Sequence, residues 1–239
     1  MDLEHFELER RVFLKKLLAI GVGSVGTSML TRHVLAMGES GQLLEGVRKM
    51  QGSILINGAM AQVNSIVSPG DVVSTGSGSL GVFVIGSDAF LVRENSQIEL
   101  LGETASRGQD ATKTVKTIKV VAGKVLSVFG KGEKHVETSN AVVGVRGTGL
   151  YVEEAADVTY VCLCYGEAVI SSLAYPSARE AVVTKHHDHP LYVLANCAGR
   201  PFLRAPVINH TDEELIMLEA LVGRKPPFAV NRGSSTSAY

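Results

Sequence analysis

The sequence predicts a mainly β protein, a β-sandwich or β-solenoid module with one C-terminal helix. Between residues 52 and 172, apolar runs of about five residues are separated by turn residues roughly every 8–12 positions. The chain has 25 glycines and only 7 prolines, and many of the glycines lie between these runs, as is typical of β-turns. No segment of 52–172 has the 3.6-residue apolar period of a core helix, whereas residues 211–222 do.

Residues 1–36 have the layout of an export signal. The basic cluster ERRVFLKK is followed by about 14 mildly apolar residues and then by Val34-Leu35-Ala36. The apolar run is too short to span the roughly 30 Å hydrocarbon core of a membrane comfortably. Arg10 and Arg11 resemble the pair of the twin-arginine motif. We therefore expect recognition by the export machinery, cleavage after Ala36 and a periplasmic protein. The alternative is an amphipathic N-terminal helix with a basic turn.

The next elements are predicted from turn residues. Residues 37–51 are expected to form a short lead-in, helical or irregular. The segment GSILINGAMAQV follows, and its Asn57-Gly58 pair predicts a β-hairpin. Pro69-Gly70-Asp71 and Gly86-Ser87-Asp88 predict two more turns, the second between two apolar strands. Residues 103–113 are polar and lack periodicity, so we expect an exposed loop.

The predicted helix at 211–222 has start and stop signals at both ends. Thr211 and Glu214 have the spacing of a capping box. Gly223 ends the apolar period, and two prolines follow shortly afterwards. The side chains expected to seat this helix on the β core are Leu215, Met217, Leu218 and Leu221, with Leu218 and Leu221 the closest.

A series of segments in the β region resembles a known family. The signature segment TSNAVVGVRGTGLYV contains Thr138, Ala141, Val145, Arg146, Gly147, Thr148 and Val152. With the preceding SPGDVVST and the two strands around the Gly-Ser turn, it resembles the FecR-like periplasmic domain, named for regulators of iron-siderophore uptake. Leu150 stands where phenylalanine is commoner in that family. The resemblance covers residues 52–172 and implies a non-catalytic β module for binding, sensing or scaffolding.

The Arg146-Gly147-Thr148 segment has two possible interpretations, one structural and one functional. Strand alternation places Val143, Val145 and Gly147 on one face and Arg146 on the other. The preferred interpretation makes Arg146 an internal clamp, with its guanidinium against backbone carbonyls and the adjacent glycines leaving room. The alternative makes it a contact for an anion or another ligand.

Composition and motifs narrow the function classes. The net charge of −1, the aromatic content of 5% and the absence of tryptophan give no basis for nucleic-acid binding. GxSxG, HExxH and P-loop motifs are absent from the sequence, so an enzyme is not expected.

The iron-uptake regulators that this family is named for bind a sigma factor with a cytoplasmic helical segment. Only about 16 residues precede the apolar run here, too few to fold as such a unit, so sigma-factor regulation is not expected. The expected partner is an envelope protein or a small ligand.

Cysteines and histidines suggest a second function, the binding of a transition metal or haem. Cys162 and Cys164 lie two residues apart on a predicted strand and share one face. Thiolates and imidazoles suit zinc, copper or haem iron, so the candidate ligands are Cys162, Cys164, His186, His187 and His189. As alternatives, the cysteines are core residues, the histidines cap a turn, or Cys197 forms a disulfide with one strand cysteine. A disulfide between Cys162 and Cys164 is not expected, because i and i+2 residues of a strand have unsuitable geometry.

Residues 173–228 are predicted to form a C-terminal extension that folds back across the β module, followed by a disordered tail at 229–239. The extension would bring the histidines close to the strand cysteines. A pocket there would contain Asp188 and have apolar walls from Val161, Leu163 and Leu191.

Overall fold

The structure, a computed structural model, describes residues 45–107 and 110–229. The predicted export signal, with Arg10, Arg11 and the cleavage site after Ala36, lies outside the described residues, as does nearly all of the predicted tail. Within the described part, no helix combines the length and the apolar character needed to cross a membrane.

The described chain folds into fifteen strands and one α-helix. In chain order they are β1 (Gly46–Gln51), β2 (Ile54–Ile56), β3 (Ala59–Met60), β4 (Val72–Thr75), β5 (Leu80–Ile85), β6 (Asp88–Val92), β7 (Gln97–Arg107), β8 (Asp110–Val128), β9 (Glu133–Glu137), β10 (Ala141–Arg146), β11 (Gly149–Ala155), β12 (Val158–Ser172), β13 (Arg179–Thr184), β14 (Leu191–Leu194), β15 (Phe202–Arg204) and α1 (Asp212–Leu221). The prediction of a mainly β protein with one C-terminal helix is confirmed.

The strands form two sheets that share β8 and β12. The inner sheet has the order β15-β14-β12-β11-β8-β6-β5-β1, and the outer sheet has the order β13-β12-β10-β9-β8-β7-β4-β2-β3. Among the described strands, only β8 and β9 pair in parallel. Gly123 and Gly166, with φ of 88° and 99°, lie where β8 and β12 turn from one sheet into the other. Strands that bend between stacked sheets in this way are typical of a sandwich rather than a solenoid.

The inner sheet is buried on both faces. Alternate residues of its strands, such as Phe83 and Leu163, face the outer sheet and form the main core. The intervening residues, such as Tyr151 and Cys162, form a second core together with Leu215 and Leu218 of α1. This explains why β5 and β6 are almost continuously apolar rather than alternating.

The helix α1 closes the second core. Thr211 accepts a hydrogen bond from the Glu214 N–H, and the Glu214 side chain accepts one from the Thr211 N–H, so the predicted capping box is formed. Leu215 and Leu218 are fully buried. Met217 and Leu221 pack only at the margin of the second core, because they lie one turn apart on the same side of the stripe that faces the sheet.

Two predicted elements are corrected. Of residues 103–113, predicted as a loop, 103–107 belong to β7 and 110–113 belong to β8, and the two strands pair with each other. Much of this arm is exposed, so no apolar alternation marks it, although its threonines favour strands. Residues 46–51, predicted as lead-in, form β1 and pair with β5. A bulge between Val47 and Lys49 shifts the register of β1 and interrupts its alternation.

Candidate functional site

Two cysteines form the base of a buried polar cluster beneath α1. Cys162 and Cys164 lie on β12, and both side chains point into the second core. The residues that alternate with them along the strand, Val161 and Leu163, point into the main core on the other face. All three cysteines of the chain are free thiols, and both strand cysteines are fully buried.

His187 reaches the cysteines from the turn that follows β13. Its backbone has φ of 53°, and its N–H donates to the Cys164 carbonyl at 3.0 Å. This bond fixes the turn against β12. The Nδ1 atom of His187 lies 3.4 Å from the Cys162 Sγ, and its Nε2 lies 3.3 Å from the Asp212 Oδ1.

His210 completes the cluster from the segment that leads into α1. Its Nε2 lies 3.1 Å from the His187 Nδ1, and its ring stacks on Tyr151 with centroids 4.4 Å apart. Arg93 and Tyr160 hold this segment by hydrogen bonds to the carbonyls of Asn209 and Pro206. The donor atoms of Cys162, Cys164, His187 and His210 all lie within 4.8 Å of one another.

The electrostatics of the cluster favour a thiolate beside an imidazole. A hydrogen bond from Cys164 lowers the pKa of Cys162, against the effect of burial, and hydrogen bonds from His187 and His210 lower it further. Burial raises the pKa of Cys164. Burial alone would lower the pKa of His187, but the hydrogen bond to Cys162 and the charges of Cys162 and Asp212 raise it.

The structure places the other predicted ligands outside this cluster. His186 is exposed, bonds the Asp212 carboxylate at 2.7 Å and packs on Phe228. His189 bonds Glu180 at 3.2 Å. His186 and His187 share the Asp212 carboxylate, whereas His189 bonds a different acid, because residues 185–187 form a bend rather than a strand. Cys197 is half-buried in the turn before β15.

The pocket walls predicted around the cysteines are corrected. Val161, Leu163 and Leu191 belong to the main core, on the opposite side of the inner sheet from the thiols. Strand alternation requires this placement, since residues next to a cysteine on a strand face away from it. Asp188 binds the Thr184 hydroxyl at 2.9 Å and takes no part in the cluster.

His210 and Asp212 were not among the ligands predicted from the sequence. His210 lies directly before the helix cap, and Asp212 is the first residue of α1. Neither has a motif spacing to the cysteines or to the 186–189 histidines. Their one signal in the sequence is their position at the predicted helix start.

A second candidate site is a groove of about 580 Å³ across the outer face of the outer sheet. Strands β9, β10, β12 and β13 each contribute residues to it. Val142 and Gly144 line its centre, and Val169 and Val183 are exposed beside them. Among the described strands, β13 pairs only with β12 and therefore forms one edge of this sheet.

Arg146 lies in this groove and is exposed, so the interpretation of Arg146 as an internal clamp is wrong. The predicted alternation is nevertheless present, because Val143 and Val145 are buried on the other face. Gly147 adopts φ of 61° after the strand, and Thr148 is fully buried. The buried cation of this region is Lys134, on the strand next to β10.

The family comparison covers the strands from β4 to most of β12, which excludes β13, His187 and His210. Residues 71–168 match the family model described as FecR protein. Two crystal structures of a proposed anti-sigma factor from Parabacteroides distasonis are similar to this chain, with 10% sequence identity and TM-scores of 0.43 and 0.44. Each alignment covers 62% of this chain and 64% of that protein's length. The comparison with curated proteins gives no match.

Proposed function

We propose that the chain is a non-catalytic binding and sensing module of the bacterial periplasm, because residues 71–168 match the FecR family model. The family match is the observation that carries this proposal.

The proposed binding surface is the groove on the outer sheet. Its centre is apolar, and Val183 is 74% exposed. Its rim carries both signs of charge, since Arg146 lies opposite Glu133 in the register of β10 and β9. The neighbouring β13 edge has backbone groups to which an extended segment can add. An envelope protein with an extended, mixed-charge segment fits this surface, and a small ligand is the other outcome to test.

The proposed function is non-catalytic, although three side chains of the buried cluster are arranged like those of a catalytic triad. Cys162, His187 and Asp212 follow the order of nucleophile, base and orienting acid. However, Cys162 has no exposed surface and lies beneath α1. A substrate could reach the sulfur only after the C-terminal segment had left the sheet, so this series does not favour catalysis.

Crosslinking in the native cell tests the surface. A photo-crosslinking amino acid at position 169 or 183 is expected to capture one envelope protein, whereas the same probe at exposed Leu203, on the inner sheet, captures none. The captured protein, purified, should bind the Arg146→Glu variant at least tenfold more weakly, and the Arg200→Glu variant normally. Equal binding by Arg146→Glu, or no capture from the groove, would contradict the proposed surface.

Export is tested separately. Replacing Arg10 and Arg11 by lysine preserves charge but removes the twin-arginine pair. We expect the precursor to stay in the cytoplasm, as measured by fractionation. Unchanged periplasmic delivery would exclude this route, and an uncleaved periplasmic form would contradict cleavage after Ala36.

The family relation supports sigma-factor regulation as a second candidate. The expectation against it rests on residues 1–16, which lie outside the described residues. A two-hybrid assay of residues 1–44 against the sigma factors of the host is the direct test. A reproducible pair would establish this second role, and no pair would leave the envelope partner as the proposal.

A further inference from the structure

We propose that Cys162, Cys164, His187 and His210 bind one zinc ion as a closed structural site that fastens the C-terminal segment to the FecR domain. The site goes beyond the proposed binding function, because it lies on the opposite side of the inner sheet from the groove. It also differs from the ligand set predicted from the sequence, since His210 takes the place of His186 and His189.

The four donor atoms already approach the spacing of a zinc site. Tetrahedral zinc with Zn–S bonds of about 2.3 Å and Zn–N bonds of about 2.0 Å requires its ligand atoms to lie roughly 3.3–3.8 Å apart. The Cys162 Sγ lies 3.4 Å from the His187 Nδ1, and that nitrogen lies 3.1 Å from the His210 Nε2. No pair among the four donors exceeds 4.8 Å. Small side-chain rotations are therefore sufficient to enclose an ion.

The outer nitrogens of both histidines have partners that orient the rings for metal binding. The His210 Nδ1–H donates to the Ile208 carbonyl at 2.6 Å, which leaves a lone pair on its Nε2. The His187 Nε2 faces the Asp212 carboxylate at 3.3 Å, which leaves its Nδ1 directed inward. Histidine ligands of metals usually donate their second N–H to a carbonyl or carboxylate in this way.

These tautomers bring two lone pairs together. With protons on the His210 Nδ1 and the His187 Nε2, the two inward nitrogens are both acceptors, 3.1 Å apart. Such a contact is repulsive unless a cation lies between them. In the metal-free protein, a proton on the His187 Nδ1 can take the place of that cation. Zinc would displace this proton and the thiol proton of Cys164, and it would neutralise the two thiolates that it binds.

Two sulfurs and two nitrogens in a tetrahedral arrangement favour zinc over hard cations. Both sulfurs are fully buried, so the site has no open coordination position for a substrate. Burial also disfavours a carrier, because release of the ion would require α1 to leave the sheet. The donors converge on one point, which suits a bare ion rather than the flat macrocycle of haem.

The ion would join three segments that are distant in sequence. The cysteines lie on β12, His187 follows β13, and His210 precedes α1. Zinc would therefore add to the contacts of Leu215 and Leu218 in holding the helix. A metal that binds only the folded state stabilises it by linkage.

Metal content and spectroscopy of the unaltered protein test the proposal first. The mature protein, prepared with reduced thiols, is expected to bind one zinc per chain in competition with a chromophoric chelator. Cobalt(II) in place of zinc should give intense tetrahedral d–d bands and a thiolate charge-transfer band. Chelation is expected to lower the Tm. Failure to bind zinc at one per chain, or a cobalt spectrum without thiolate bands, would overturn the proposal.

Matched variants identify the ligands. Cys162→Ser, Cys164→Ser and His210→Gln are each expected to weaken zinc binding by more than about 100-fold, and Asp212→Asn by roughly 10–100-fold. Cys197→Ser and His189→Gln are the controls, since they alter the same residue types outside the cluster and should bind zinc normally. Zinc retained by both strand-cysteine variants would place the ion elsewhere, for example at His186, His187 and Asp212, and would refute the site. If these variants do not fold, the cobalt spectrum of the unaltered protein decides alone.

Discussion

At the residue scale, a lysine–aspartate pair is buried within the segment that matches the FecR family model. The Lys134 Nζ lies 2.7 Å from the Asp88 Oδ2 and 2.8 Å from the Val115 carbonyl oxygen. The Gly130 N–H donates to the other oxygen of Asp88 at 2.8 Å. The two side chains are only 5% and 2% exposed. A buried pair of this kind depends on both members, because either one alone would be an uncompensated charge.

Lys134→Met tests this dependence. Methionine keeps most of the side-chain volume and leaves Asp88 without its cation, so we expect a loss of about 3–5 kcal/mol in the free energy of unfolding. Lys119→Met is the control, since Lys119 forms an exposed pair with Glu99 at 3.8 Å. That change should cost less than about 1 kcal/mol. Urea denaturation measures both, and similar losses for the two variants would contradict the role of the buried pair.

The same variant has a predicted pH dependence. Burial raises the pKa of Asp88, and the charge of Lys134 opposes this effect, so Lys134→Met should raise that pKa further. A carboxyl with a raised folded-state pKa contributes stability below the unfolded value of about 3.9 and loses it as pH rises through the folded value. The loss of unfolding free energy caused by Lys134→Met should thus be smaller at about pH 4 than at about pH 7. Denaturation at both pH values measures it, and a larger loss in acid would contradict the argument.

At the scale of elements, two glycines allow long strands to serve both sheets. Gly166 is the corner of β12, between the part that pairs with β11 and the part that pairs with β13. A Cβ atom there would lie 2.5 Å from the Cγ2 of Thr148, which is the buried threonine of the signature segment. The signature threonine therefore packs against the strand corner, which gives that residue a structural role.

Gly166→Ala is expected to destabilise the domain through both backbone strain and this clash. Gly132→Ala is the matched control, because Gly132 also has a positive φ, 113°, but a Cβ atom added there would meet no described atom within 4 Å. The control should lose about 1–2 kcal/mol from backbone strain alone. The Gly166 variant should lose roughly 1–3 kcal/mol more. Equal losses in thermal or urea denaturation would show that the corner has room for a side chain.

At the scale of the whole molecule, the inner sheet lies between two cores and requires cover on both faces. The outer sheet covers one face. The segment from Ala205 to Phe228 covers the other, with Leu215 and Leu218 of α1 at its centre. Burial of each such leucine contributes about 1.5–3 kcal/mol, so the C-terminal segment is part of the fold and not an appendage.

Deletion of residues 205–239 is therefore expected to expose the second core. The truncated chain should bind a hydrophobic dye, aggregate and lose its cooperative thermal transition, because Tyr151 and its apolar neighbours would face water. The control is deletion of residues 230–239, which leaves every described residue in place and should not change the Tm. A soluble 205–239 deletion with a normal Tm would contradict the interdependence of helix and sheet.

Much of the fold was predictable because it depends on local patterns. The Asn57-Gly58 hairpin, the Thr211–Glu214 capping box and the strand alternation around Val145 all occur as expected. The β7–β8 arm was missed since its largely exposed, polar segments carry no hydrophobic period. For the candidate site, the sequence indicated Cys162 and Cys164 on one face, but it did not reveal His210 or Asp212.

Local sequence patterns were enough to predict which residues share a face and where elements begin and end, because these properties depend on a period of two or 3.6 residues and on caps and turns. The segments that cover each face of the sheets became known only from the folded chain. The fold directed Arg146 to solvent and brought His210, rather than His189, to the cysteines. Such contacts depend on the path of the loops between the elements. The number of residues between two side chains does not specify the distance between them in the folded protein.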